Sequence, residues 1–105
     1  MTLDEYQSEA KKTARYPIIN QDIPIYPALG LCGEAGEFAE KCKKGVRDGA
    51  FDRDGAIREL GDVLWYVAMA AGDLGIGLDA VAGLNLAKLR DRAARDALKG
   101  SGDDR

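Results

Sequence analysis

Gly33-Glu34-Ala35-Gly36-Glu37-Phe38-Ala39-Glu40-Lys41 is matched further on by Glu59-Leu60-Gly61-Asp62-Val63-Leu64-Trp65-Tyr66, with 21 residues between Glu37 and Glu59. Each stretch carries two carboxylates three positions apart. On a helix such residues are neighbours on one face, about 5–6 Å between Cβ atoms. Two packed helices lie about 8–10 Å apart, so the four acids can converge on one small space. Converging carboxylates repel one another unless something cancels their charge. Lys and Arg can do so, and so can a hard divalent cation, which prefers oxygen ligands.

The surroundings favour the cation. Gly33, Ala35, Gly36 and Gly61 crowd around the acids. A helix-interior Gly costs roughly 1 kcal/mol against Ala, so this clustering predicts a close approach by another helix. Glu59 and Asp62 head the most apolar run in the chain, a poor place for unpaired charge. No histidine occurs anywhere. An all-oxygen site without histidine points to Mg²⁺ or Mn²⁺.

N-terminal to these acids, the residues from 15 to 27 hold all three prolines, Pro17, Pro24 and Pro27, among several isoleucines and tyrosines. They read as a connector, either packed in place or forming a lid over a ligand pocket. Before it, Thr2-Leu3-Asp4-Glu5 fits a capping box, which starts a helix over about residues 3–14. Pro27 suits the first turn of a second helix, whose seam is Leu31, Ala35, Phe38 and Cys42 and whose end is expected near Gly45. Glu34, Glu37, Lys41 and Lys44 form a stripe beside that seam.

After the second helix, Asp54 is expected to cap a third, running to about Gly72. Past Asp62 this helix is apolar nearly all round, so it should be buried on every side. Three short neighbours can hardly enclose it, which predicts a partner subunit. Asp79 is expected to cap a fourth helix over 79–98, with Asn85, Lys88 and Arg92 on one stripe. The fold class is therefore all-α, a bundle of about four helices completed by oligomerisation. Residues 1–99 form a single domain and 100–105 a disordered tail.

With 105 residues, net charge −3 and mixed acids and bases, the chain offers no basic face for nucleic acid. No apolar run is long enough for a bilayer, and the acidic N-terminus does not read as a signal peptide. Cys32 and Cys42, if on one helix, lie roughly 15 Å apart, too far for a disulfide. They read as small buried thiols, hence a cytoplasmic protein. The lack of histidine removes His-based triads and most zinc sites. Beside a metal site, Lys41, Lys44, Lys88, Arg92 and Asn85 would suit a polyphosphate. Trp65 and Tyr66 serve either as packing or as a stacking surface for a base.

The order of these elements resembles the E-x-x-E…E-x-x-D signature of MazG-type all-α nucleoside triphosphate pyrophosphohydrolases. Asn85-Leu86-Ala87-Lys88-Leu89-Arg90-Asp91-Arg92 is similar to the family's N-x-x-K-x-x-x-R segment. The resemblance implies cleavage of nucleoside triphosphates between the α- and β-phosphates. It implies Mg²⁺ on Glu34, Glu37, Glu59 and Asp62, and phosphates engaged by Asn85, Lys88 and Arg92, with Lys41 and Lys44 assisting. It also implies a homodimer or homotetramer with shared sites. Glu37 is the expected general base, with Glu34 the other carboxylate placed in catalysis. Two alternatives stand beside this: phosphoribosyl-ATP pyrophosphohydrolase, from the same superfamily, and a non-catalytic helical module for a nucleotide or a basic partner.

Overall fold

The computed structural model describes residues 1–95, which form four helices and no strand. They are α1 (Leu3–Lys11), α2 (Ile25–Asp48), α3 (Arg53–Asp73) and α4 (Leu78–Ala94). The expected 100–105 tail and the last turn of a helix reaching 98 lie outside the described residues. No single helix among those described is long and apolar enough to cross a membrane.

The capping box is formed. Thr2 N–H donates to Glu5 Oε1 at 2.9 Å, and Glu5 N–H donates to Thr2 Oγ1 at 3.0 Å. The helix ends at Lys11, short of the expected residue 14. The N–H groups of Lys12, Thr13 and Ala14 bond three residues back instead, and the Thr13 hydroxyl caps Ala10 O at 2.7 Å. These tighter turns close the element early.

The second helix begins inside the proline stretch, with Pro24 at its N-cap and Pro27 buried in its first turn. It runs past Gly45, against expectation. Gly45 makes room for Phe51, whose ring Cδ1 would lie 2.8 Å from any added Cβ. The terminator is Gly49, at φ 75°, a left-handed conformation that costs glycine nothing.

Asp52, not Asp54, caps α3. Its Oδ1 accepts from Gly55 N–H and its Oδ2 from Lys41 Nζ, both at 3.0 Å. One carboxylate thus ends the α2–α3 turn and ties it back to α2. The Lys41 bond, then the Gly55 bond, hold the Asp52 carboxyl below its ordinary range. A lowered value means stability present at neutral pH and lost as pH falls through the carboxylate range. Asp52→Ala should therefore melt lower than wild type at pH 7, with the gap closing towards pH 3 in a series of thermal melts. A gap that does not change with pH would contradict this.

Gly77 rather than Asp79 is the N-cap of α4. Asp79 lies in the first turn, where its N–H donates to Asp4 Oδ1 at 2.9 Å. Gln7 clamps this corner. Its amide nitrogen donates to Ala68 O at 3.0 Å and Ile76 O at 3.2 Å, and its oxygen accepts from Leu78 N–H at 3.1 Å. Ala10, Ala68, Met69, Ala71 and Leu78 form the core around it.

The most extensive packing is α2 on α3; α1 lies across α3 and α4, and α4 does not pack on α2. It leaves α3 at 98°. Along α3 full burial is accordingly confined to Gly55 and Ala56 at its start and to Ala68, Met69 and Ala71, while Ile57, Leu60 and Leu64 are exposed. Cys32 and Cys42 are exposed too, correcting the expectation of buried thiols. Among the described helices only α3 packs on α2, and both cysteines lie where it does not cover them. Gly33, Gly36 and Gly61 also correct an expectation, because nothing lies within 4 Å of a Cβ added at any of them. Within one chain these glycines admit no close neighbour.

Candidate functional site

The α2–α3 pairing brings Glu34 of α2 to Glu59 and Asp62 of α3. One carboxylate oxygen from each lies within 4.8 Å of the other two. Glu37 is not among them and is exposed. Three residues turn a helix by roughly 300°, which carries Glu37 about 60° round from Glu34. Three acids converge, not the four that the pattern suggested.

Within the trio, the surroundings of Glu34 are acidic. Burial, then a hydrogen bond with Glu59, then the charges of Asp62, Glu59 and Glu37 push the Glu34 carboxyl above its ordinary range. Every charged group acting on it is another acid. The spacing of the three acids would let them hold a single hard cation once their side chains draw together. The donor set is all carboxylate, which is what such an ion prefers.

The cations expected near phosphate lie elsewhere in the single chain. Lys41 bonds Asp52, as above, and Lys44 pairs with Glu40 at 3.8 Å. Asn85 and Lys88 line a separate cleft with Val81 and Leu84, about 480 Å³ in volume. Arg92 is half-buried further along α4. α4 does not pack on α2, and none of Asn85, Lys88 and Arg92 lines the cleft that holds Glu34 and Asp62.

Trp65 and Tyr66 do reach the acids. With Glu34 and Asp62 they line a cleft of about 270 Å³. Trp65 and Tyr66 meet edge to face at 5.0 Å and 85°. Trp65 is held by a bond from its Nε1 to Thr13 Oγ1 at 2.9 Å. Its other neighbour is Tyr16, at 6.1 Å and 80°, which in turn stacks on Tyr26 at 5.1 Å and 4°. Tyr16 donates to Asp73 Oδ2 at 2.9 Å; burial and this bond push its phenol up to about 12. Sequence reasoning missed this four-ring wall. The signal was the pair of tyrosines flanking the isoleucines of the connector. That connector is tied down through its tyrosines, while Ile18, Ile19 and Ile23 are exposed. A larger cavity, about 380 Å³, lies between α1 and the α3–α4 turn, but none of the four acids lines it.

Residues 27–95 match the model of the MazG nucleotide pyrophosphohydrolase domain. That stretch takes in α2, α3, α4 and every acid of the trio, and it leaves out α1 and most of the proline connector. The chain is also 45% identical, over 114 aligned residues, to the Gene 37 protein of Mycobacterium phage L5, with all of both chains covered. No solved structure matches the chain.

Proposed function

Since the chain belongs to the MazG nucleotide pyrophosphohydrolase family, we propose that it is a Mg²⁺-dependent enzyme that cleaves ribo- or deoxynucleoside triphosphates between the α- and β-phosphates. The products are the nucleoside monophosphate and pyrophosphate, and the role is control of the nucleotide pool in the cytoplasm. The observation that carries this is the trio Glu34, Glu59 and Asp62, three acids close enough to share one ion, with Glu34 pushed up by burial and by the other carboxylates around it.

In this reading Glu34, Glu59 and Asp62 hold Mg²⁺, with Mn²⁺ a workable substitute. When bound, the ion polarises phosphoryl oxygens and offsets charge on the departing pyrophosphate. Glu37 stands one turn from Glu34 and outside the trio, so its carboxylate is free to take the proton from the attacking water. Trp65 and Tyr66 supply the aromatic wall beside the acids against which the base packs.

Asn85, Lys88 and Arg92 bind the phosphates from the α4 of a second copy. Two observations support that arrangement. Within one chain α4 does not pack on the acid-bearing α2. Leu29 on α2, Leu60 on α3 and Leu84 on α4 are 67%, 49% and 66% exposed, apolar side chains that a second copy can cover. A homodimer, or a tetramer of two such dimers, covers them.

A nucleotide panel with pyrophosphate detection tests the reaction. Pyrophosphate and a monophosphate should appear from at least one triphosphate, and only with the divalent ion. Turnover confined to phosphoribosyl-ATP would assign the alternative enzyme, and no release from anything would leave a non-catalytic acidic module. Lys88→Ala should raise KM roughly 10- to 100-fold, the worth of a charge-assisted bond of about 1.5–3 kcal/mol. An unchanged KM would remove Lys88 from the phosphate site.

A further inference from the structure

Gly30 lies on α2 one turn before Glu34, and the ring of Tyr66 rests directly against its backbone. A Cβ added at Gly30 would overlap the ring atoms Cε1, Cζ and Cδ1, all well inside the 3.0 Å that Cβ contacts keep. Tyr66 is the same residue that walls the cleft with Glu34, Asp62 and Trp65. The Trp65 ring, nearly perpendicular to that of Tyr66 with centroids 5.0 Å apart, blocks one escape route for it. Trp65 is itself held by Thr13 and Tyr16.

We infer that Gly30 is a positioning residue that sets the depth of the cleft for the nucleoside part of the substrate, by letting Tyr66 lie flat against α2. Any side chain at position 30 drives the phenol ring off α2 and over the space between Trp65 and the acids. The acids themselves stay where α2 and α3 place them, so the cleft narrows while the trio is unchanged. The inference rests on the proposed reaction at this same site. It adds a residue that touches neither metal nor substrate, and that the E-x-x-E…E-x-x-D pattern does not include.

The test is a cycle of Gly30→Ala, Tyr66→Leu and the double variant. Filling a pocket by about one methyl group is worth roughly 10- to 200-fold in discrimination. Gly30→Ala should accordingly raise KM at least tenfold while kcat stays within about threefold. In the double variant the collision is gone, so its KM should equal that of Tyr66→Leu alone. A second readout is independent of turnover. In thermal melts without metal, Gly30→Ala should destabilise the wild-type background and have little effect in the Tyr66→Leu background.

Wild-type turnover combined with an unaltered KM in Gly30→Ala would overturn this inference alone. Equal destabilisation by Gly30→Ala in both backgrounds would also overturn it, since the ring would not be what the methyl meets. A wild-type chain inert towards every triphosphate would remove the functional reading and this inference together.

Discussion

Glu59→Ala should lose turnover by on the order of 10²–10³-fold, the usual consequence of removing one preorganised charge partner from a reacting centre. The same variant should fold as well as the wild type. Glu59 is one of three acids that share a small space. The Glu34 carboxyl is raised, first by burial and then by its bond to Glu59. A raised acid contributes stability below its ordinary range and loses it as pH rises through the folded value. Without metal at neutral pH, deleting Glu59 removes repulsion instead of support. Its midpoint should match or exceed that of wild type at pH 7, and the two should converge in acid. Added Mg²⁺ should raise the wild-type midpoint and leave the variant's unmoved, by linkage to binding. Steady-state turnover and melts at several pH values check all of this. Activity within threefold of wild type would show that Glu59 is not a ligand.

Gln7→Ala should produce the largest loss of stability among single polar changes. One side chain satisfies two carbonyls and one N–H at the corner where α1, α3 and α4 meet. Alanine leaves Ala68 O, Ile76 O and Leu78 N–H without that partner. Each such group costs about 1–3 kcal/mol when buried. Here the site is partly open to water, so a total of about 2–4 kcal/mol is expected. That is a large share of the roughly 5–15 kcal/mol holding a domain together. Gln7→Glu should fare badly too, because a carboxylate cannot donate to the two carbonyls. Urea unfolding reads the effect as a lowered midpoint at unchanged slope. A shift of under about 0.5 kcal/mol would mean that water replaces the clamp.

What the sequence made legible was local chemistry. Thr2 and Glu5 announce a capping box through residue type and spacing alone, and the box forms. The apolar run after Asp62 marks the core helix, and the two acidic pairs mark where α2 and α3 face one another. What escaped was whatever depends on tertiary neighbours. Gly45 looked like a helix end but serves the Phe51 ring, while Gly49 does the ending. Glu37 shares a motif with Glu34 yet falls outside the trio, because the direction of a side chain depends on how two axes cross. Cys42 fits an apolar seam by period, yet it is exposed, because α3 is the one described helix that packs on α2. Nothing in the sequence sets Gly30 apart from other helical glycines; the Tyr66 ring that lies on it does.

The account stands on Glu34, Glu59 and Asp62 acting together as a seat for one hard cation. Calorimetric titration of Mn²⁺ into the metal-free chain, run in parallel on Glu59→Ala, tests that most directly. Saturable binding to the wild-type chain that Glu59→Ala abolishes is the expected result. Equal binding to both chains, or none to either, would contradict it.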